Sequence, residues 1–311
     1  MPKKSKKKSF IVILFSQIAL FLCHLFSLLP RKCLYLLADG LFYILFYAAK
    51  YRRKVAHENL KKTFPEKTNA EIKNIEEKFY RYLSDFFLEY IIILGKNYKK
   101  LEEMMEYSNL ELLHDLFEKK KDIALVTAHY ANWELISTLP PKMSYKLCPA
   151  YKRQSNPVFD GLMYDLRSKF GAIPVEMADT FRFALSTKRK DMRFALMLLA
   201  DQLPRTTEYF TTFLNHEGTP IIEGPERMSR ALDMAVVFMD ISKVRRGKYK
   251  TKFVLLCENP ADTEKNQISE AYIRYLEKKI QQQPEYWLWT HRRWRRTEKD
   301  YKKSPAGSKK F

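Results

Sequence analysis

The chain has 311 residues, of which 46% are hydrophobic, and this apolar content is enough for a sizeable core and excludes a wholly disordered protein. Its formal net charge of +20 predicts an anionic partner: nucleic acid, an anionic membrane surface or an acidic protein. The four cysteines are scattered and form no Cys-x-x-Cys pair, so nothing resembles a disulfide framework or a zinc site and the chain suits a reducing compartment.

The N-terminus points to a membrane. A run of lysines at positions 3, 4, 6, 7 and 8 precedes residues 10–29, an apolar stretch of a length that can cross a bilayer. The stretch is long for a signal peptide and ends without a small-residue cleavage site, which favours a retained membrane helix within residues 1–30. A membrane segment accounts for the location of much of the positive charge, and no nucleic-acid motif appears. Nucleic acid is therefore less favoured as the anionic partner.

A second apolar stretch, residues 33–51, carries Asp39 as its only acid and is followed by the basic residues 52–54. It could span the membrane, lie in the interface or join the globular core. Basic clusters beside both stretches suit anionic head groups.

The rest of the chain has the alternating strand and helix pattern that is typical of an α/β domain. A long amphipathic helix is predicted over 66–95, with a capping box at Thr68–Glu71, and a shorter helix over 109–119. Apolar runs predict strands at 123–128, 146–151, 172–175, 193–200, 235–241 and 251–256. Helices are predicted over 133–139, 157–169, 180–188, 225–232 and 264–282. This alternation predicts one domain over 31–297, a mixed, largely parallel sheet flanked by helices. Residues 298–311 form a basic tail that we expect to be disordered.

The most informative residues follow the predicted strand 123–128. They read His129-Tyr130-Ala131-Asn132-Trp133-Glu134. A histidine at the carboxyl end of a strand is a candidate general base, and Glu134 on the next helix could reach back to the imidazole. A carboxylate on one ring nitrogen would fix the tautomer and free the other nitrogen to accept a proton. The alternative is a capped helix start beside a polar histidine.

Further polar residues are expected at the same edge of the sheet. These candidates are Lys152, Arg153 and Asn156 after the strand 146–151, Asp201 and Gln202 after the strand 193–200, and Arg167 on the helix 157–169. Gly224 to Glu226 begin another helix, whose free N–H groups can hold an anion. Structural alternatives exist for each: a turn or capping residue, a surface arginine, or a plain helix start.

Other catalytic templates fit poorly, because there is no GxSxG elbow, P-loop, GxGxxG or HExxH motif. A histidine–carboxylate base without a protein nucleophile indicates direct attack of a substrate hydroxyl on a carbonyl carbon. Together with the predicted membrane helix, this indicates acyl transfer onto a lipid.

At this point the chain resembles a known family, the late (lauroyl/myristoyl) acyltransferases of lipid A biosynthesis, within the H-x4-D/E glycerolipid acyltransferase superfamily. The resemblance covers about residues 10–297. It rests on the blocks 51–60, 129–134, 156–157, 200–202, 224–226 and 284–294, the last reading Pro-Glu-Tyr-Trp-Leu-Trp-Thr-His-Arg-Arg-Trp. Departures are Lys152 where many members carry arginine, Pro225 where the family often has threonine, and Pro220 where a phosphate-binding block of related enzymes has arginine.

The resemblance implies that a fatty acyl chain moves from acyl carrier protein to a lipid A precursor, a phosphorylated glycolipid. His129 would be the general base and Glu134 its partner, with no metal and no organic cofactor. The resemblance and the polar groups above give the expected substrate contacts: Asn132, Lys152, Arg153, Asn156, Arg167, Asp201, Gln202, Gly224 and Glu226. The expected location is the bacterial inner membrane, with the catalytic domain on the cytoplasmic side.

Two alternatives stay open. The enzyme could acylate another lipid, such as a lysophospholipid or an amino-acid lipid. A non-enzymatic membrane adaptor, using its basic face to hold an acidic partner, is the alternative of a different class.

Overall fold

The computed structural model describes residues 10–190 and 192–303 and shows a mixed α/β fold around one large sheet. Its strands are β1 (Met105–Ser108), β2 (Ile123–Thr127), β3 (Lys146–Tyr151), β4 (Val175–Glu176), β5 (Phe194–Leu199), β6 (Phe210–Phe213), β7 (His216–Pro220), β8 (Ala235–Arg245) and β9 (Lys248–Cys257). Seven of them pair in the order β1-β9-β8-β2-β5-β3-β4, and β6 and β7 form a separate hairpin. Only the β8–β9 pair of the large sheet is antiparallel, which confirms the predicted mixed, largely parallel sheet.

Strand β2 lies at the centre of this sheet, between β5 and β8, and runs parallel to both. All five of its residues are buried. Helices cover both faces of such a sheet, so a central strand has no solvent-facing side and reads as a continuous apolar run. This explains why the run before His129 could be recognised as a strand. His129 therefore follows a strand that is buried along its whole length.

The helices flank the sheet and close its edges. They are α1 (Phe10–Ser27), α2 (Arg31–Tyr43), α3 (Arg53–Thr63), α4 (Asn69–Gly95), α5 (Tyr98–Glu102), α6 (Glu111–Glu118), α7 (Pro157–Ser168), α8 (Thr180–Lys188), α9 (Gly224–Leu232), α10 (Gln267–Gln282) and α11 (Glu298–Lys303). The capping box that predicted α4 is present: the Thr68 hydroxyl accepts from Glu71 N at 3.3 Å, and the Glu71 carboxylate accepts from Thr68 N at 2.8 Å. Helix α4 therefore begins where its sequence signal indicated.

The two N-terminal apolar stretches form separate helices, α1 within the residues 1–30 where a membrane helix was expected and α2 in the second stretch. Among the described residues, no single helix is both long and apolar enough to cross a membrane. The segments Gln17–Ser27 and Arg31–Ala48 meet that criterion only as a pair, bent by 114°. The second stretch joins the core by one face, where Leu34, Phe42 and Phe46 are buried.

Three features differ from the predicted elements. Residues Trp133–Thr138 form a 3-10 helix, where an α-helix was expected. Strand β1 and the β6–β7 hairpin were not predicted; β1 is four residues long and exists through its parallel pairing with β9, far along the chain. The first part of the expected C-terminal tail is helical, because α11 packs Tyr301 into the protein, and the Tyr301 hydroxyl donates to Pro204 O at 2.6 Å. The rest of that tail, like the lysines before residue 10, lies outside the described residues.

Candidate active site

His129 sits on a tightly held turn directly after β2. Ala131 adopts the left-handed conformation with φ of 51°, which breaks the strand direction and starts the following 3-10 helix. The C-terminal segment lies across this turn: Ala131 N donates to Tyr286 O at 2.9 Å, and Leu288 N donates to His129 O at 3.1 Å. These two hydrogen bonds fix the backbone of the turn, which limits where the imidazole can point.

Asp201 is the carboxylate that contacts this imidazole. It follows β5, the parallel neighbour of β2, and the register places Thr127 beside Leu199, so both side chains leave the same edge of the sheet two residues later. Asp201 Oδ1 lies 2.7 Å from His129 Nδ1, and Asp201 Oδ2 accepts from His129 N at 3.0 Å and from Trp287 Nε1 at 2.9 Å. Asp201 is 1% exposed, so these partners take the place of water.

The charge state of Asp201 follows from these contacts. Burial raises the pKa of the carboxyl group, but attraction to His129 and the hydrogen bonds from His129 and Trp287 outweigh burial, and the pKa is lowered. An ionised carboxylate accepts only, so His129 Nδ1 carries the proton. The Nε2 atom then has a lone pair, and no described residue hydrogen-bonds to it. With a side chain 20% exposed, His129 has the tautomer and the access that a general base needs.

Glu134 does not reach the imidazole as expected, because the carboxylate that contacts His129 is that of Asp201. Arg167 binds both carboxylate oxygens of Glu134. Its Nε donates to Glu134 Oε2 at 3.0 Å, and its Nη2 donates to Glu134 Oε1 at 2.5 Å. Burial raises the pKa of Glu134, but Arg167, with further hydrogen bonds from Tyr90 and Trp133, lowers it overall. Glu134 is therefore an ionised carboxylate in a buried, two-point ion pair.

Trp133 connects this ion pair to the imidazole. Its indole Nε1 donates to Glu134 Oε1 at 3.1 Å, and its ring packs edge-on against His129 with centroids 4.9 Å apart. Because the indole is held at its N–H end by Glu134, it forms a fixed wall beside His129. Glu134 is thus linked to His129 through the Trp133 indole and not by direct contact.

Asn132 is 1% exposed, and its contacts are internal. Its side-chain oxygen accepts from Glu134 N at 3.2 Å and so caps the 3-10 helix, while its Nδ2 donates to Glu89 Oε2 at 2.5 Å. Glu89 also accepts from Tyr249 at 2.8 Å and from Tyr35 at 2.9 Å. Asn132 positions the motif and, being buried, is not an exposed substrate contact.

The predicted residues after β3 lie at the same edge of the sheet as His129, since β3 is parallel to β5. Lys152 and Arg153 are exposed, and Arg153 pairs with Glu176. Asn156 caps α7, accepting from Val158 N at 2.9 Å. Of this group, Lys152 keeps an ammonium without a partner among the described residues.

The remaining predicted residues, Gln202, Gly224 and Glu226, lie in two different places. Gln202 follows Asp201 and is partly exposed, whereas Gly224 and Glu226 lie at the start of α9. Glu226 is buried, and it accepts from Asn266 N at 2.5 Å and from Ser269 N at 2.8 Å. Its carboxylate therefore caps α10, which accounts for its burial without a ligand.

Two residues that contribute to the site were not singled out from the sequence. Trp287 lay in the C-terminal block of the resemblance, but nothing local indicated that its N–H would reach Asp201. Glu89 lies on the buried face of α4, and an acid among the aromatic residues of a core-facing stripe was the signal that could have found it.

The model of the bacterial lipid A biosynthesis acyltransferase family matches residues 1–296, so the chain belongs to that family. It is 21% identical over 181 residues to lipid A biosynthesis acyltransferase 2 of Shigella flexneri, covering 58% of each chain. It is 19% identical over 170 residues to lipid A biosynthesis myristoyltransferase of Escherichia coli (strain K12), covering 55% of this chain and 53% of that one. The matches thus span little more than half the length of these relatives.

Proposed function

We propose that this protein is an acyltransferase that moves a fatty acyl chain from a thioester on acyl carrier protein to a hydroxyl of a lipid A precursor. The observation that carries the proposal is the His129–Asp201 pair at 2.7 Å, placed at the carboxyl edge of a parallel sheet in a chain of this family. The net charge of +20 supports it as well, since both substrates would be anionic.

In the proposed reaction the acceptor hydroxyl gives its proton to His129 Nε2 as its oxygen attacks the thioester carbonyl carbon. The new C–O bond forms and the C–S bond breaks, and the imidazolium returns the proton to the departing thiolate sulfur. Asp201 holds the imidazole in the reactive tautomer and stabilises the positive charge that develops on it. The substrate hydroxyl supplies the nucleophile, so no covalent intermediate on the protein is needed.

Glu134 and Arg167 are positioning residues in this proposal. Their ion pair fixes the Trp133 indole, which packs against the imidazole. The arginine is 21% exposed on its side chain, so its charge is mostly neutralised by Glu134 and does not face solvent freely. An anionic substrate group would meet Lys152 more readily than Arg167.

We further propose that the protein works at the bacterial inner membrane with its catalytic domain on the cytoplasmic side. The bent helical pair at the N-terminus presents large apolar side chains outward, among them Phe21, Leu28 and Leu36, each at least 65% exposed. An apolar surface of this kind favours a lipid environment. A lipid acceptor would be found there.

The chemistry is tested by following thiol release from an acyl carrier protein thioester with purified enzyme in the presence of the lipid A precursor. We expect His129→Ala to lower the rate by about 10²–10⁴, since it removes a positioned general base. The matched control is His114→Ala, because His114 is 66% exposed on its side chain and lies on α6, away from the sheet edge. Wild-type turnover by the His129→Ala enzyme would rule out the proposed mechanism, whereas the absence of turnover by the wild-type protein would favour the adaptor alternative.

The acceptor is tested separately. Several acyl carrier protein thioesters are offered with a lipid A precursor, a lysophospholipid or an amino-acid lipid, and the products are identified by mass spectrometry. We expect acylation of the lipid A precursor. Mass spectrometry of a deletion strain gives the cellular control, and unchanged lipid A acylation there would exclude this acceptor while leaving the catalytic assignment of His129 intact.

A further inference from the structure

A cavity of about 480 Å³ lies between α2 and the turn of the β8–β9 hairpin. Its charged lining residues are Arg31, Lys32, Asp39, Arg245, Arg246 and Lys248. Five cations and one acid on one cavity wall make a strongly positive surface, and such clusters attract anions. None of these residues belongs to the motif around His129.

Arg246 forms the rigid part of the wall. Its Nε donates to Asp85 Oδ1 at 2.8 Å, its Nη2 donates to Asp39 Oδ1 at 2.7 Å, and the same Nη2 donates to Tyr35 O at 3.0 Å. Its charge is therefore met by two carboxylates. Arg246 shapes the cavity and has little capacity left for a ligand.

Two further cations are held at the other end of the cavity. Arg31 Nη2 lies 3.1 Å from Glu103 Oε2 and also donates to Lys100 O at 2.6 Å. Lys248 donates to the carbonyl oxygen of Glu103. These contacts fix where the two positive groups lie, so the cavity does not depend on mobile side chains alone.

Lys32 and Arg245 are different, because both are exposed and neither side chain has a hydrogen bond or an ion pair among the described residues. Asp39, Asp85 and Glu103 pair with Arg246 and Arg31, and Asp85 also pairs with Lys243, so no carboxylate among the described residues compensates Lys32 or Arg245. A phosphate group, whose anionic oxygens can accept from both side chains, suits these two free cations.

The backbone packing between the two walls is close. Gly247 has φ of 72°, and a Cβ there would lie 2.3 Å from the Tyr35 hydroxyl oxygen, so the hairpin turn can approach α2 only with glycine. The Tyr35 hydroxyl in turn donates to buried Glu89 at 2.9 Å. The cavity thus has a built wall, tied to the core.

An apolar surface borders the basic cavity. Leu36, which lines it, is 71% exposed, and nearby on the two walls Val244 and Leu37 are 63% and 47% exposed. A free phosphate ion gains nothing from such a rim, whereas a lipid presents a phosphate and hydrocarbon together. We propose that this cavity binds the phosphate of an anionic lipid headgroup at the membrane surface. This inference concerns binding alone and does not depend on the chemistry proposed for His129.

Vesicle co-flotation of the full chain tests the proposal. The vesicles contain phosphatidylcholine with or without phosphatidylglycerol, and the variant is Lys32→Gln/Arg245→Gln. Its matched control, Arg189→Gln/Lys278→Gln, removes the same charge from exposed positions directly after α8 and on α10. We expect the cavity variant to bind the anionic vesicles about tenfold more weakly than the wild type and the control to change little. On phosphatidylcholine alone the proteins should not differ.

Equal weakening by the two variants would overturn the proposal, since binding would then follow net charge only. Full competition by millimolar inorganic phosphate would overturn the lipid source and indicate a site for the free ion. The melting temperature of each variant is compared with that of the wild type, and because the substituted side chains are exposed we expect it to be unchanged. If the double variant is unstable, the single variant Arg245→Gln carries the same comparison against Arg189→Gln.

Discussion

Replacing Asp201 by asparagine should stop the reaction while leaving the fold nearly intact. Asp201 Oδ2 faces two N–H donors, His129 N and Trp287 Nε1, so the amide oxygen of an asparagine must occupy that position. The amide NH₂ then faces His129 Nδ1. A ring nitrogen that accepts a hydrogen bond carries no proton, so the proton moves to Nε2 and the base is lost.

The magnitude follows from this change of tautomer. The hydrogen bond between His129 Nδ1 and Asp201 is charge-assisted at 2.7 Å, and the carboxylate also stabilises the imidazolium formed during the reaction. Loss of both effects should lower kcat by about 10²–10⁴, or about 3–5 kcal/mol in the barrier. The stability change should be small, because the donors His129 N and Trp287 Nε1 keep an acceptor.

The assay measures thiol release at saturating acyl donor, together with the urea midpoint of unfolding. Glu76→Gln is the matched control: Glu76 is also 1% exposed and also contacts a histidine, with its Oε2 3.2 Å from His57 Nδ1, but on α4 and α3. We expect kcat of this control within a few-fold of the wild type. If Asp201→Asn retained wild-type kcat, or if both variants lost activity alike, the assignment of Asp201 as the orienting carboxylate would be refuted.

Two further predictions concern stability. Arg167→Met should lower the unfolding free energy by about 3–5 kcal/mol, because Glu134 would stay buried without its cation. The same change at Arg182, whose side chain is 81% exposed, should cost under about 1 kcal/mol. Equal losses of the two variants in urea unfolding would contradict this. Burial and nearby cations lower the pKa of His216 and of His291 to about 4 from 6.5. Between pH 6.5 and 4 the unfolded chain therefore binds protons that the folded chain does not, so the unfolding free energy should fall as the pH falls through that window. The double His→Gln variant should show a flatter dependence, and an unchanged slope would show that these two rings are not responsible.

Much of the α/β domain could be predicted because the signals were local. The alternation of apolar runs and amphipathic stretches follows from the periods of strands and helices, and α8 and β3 have the predicted bounds. The two residues that form the base and its carboxylate, His129 and Asp201, each follow a recognisable strand. Their common edge followed from parallel pairing, which the alternating pattern itself indicates.

The choice of partner could not be predicted in the same way. Glu134 is five residues from His129, and proximity along the chain made it the natural carboxylate. The ring instead contacts Asp201, 72 residues away, because β2 and β5 are paired in the register that places Thr127 beside Leu199. Register is set by the packing of the whole sheet and has no local signature.

Composition and local pattern therefore determined the class of fold, the basic character of the surface and the two strand ends that carry the chemistry. Tertiary structure alone decided that Arg167 neutralises Glu134, that Trp287 supports Asp201, and that the apolar N-terminus folds back as a bent pair. The physical reason is the same in each case. A buried charge must find a partner in space, and which partner lies within hydrogen-bond distance depends on how distant segments pack together.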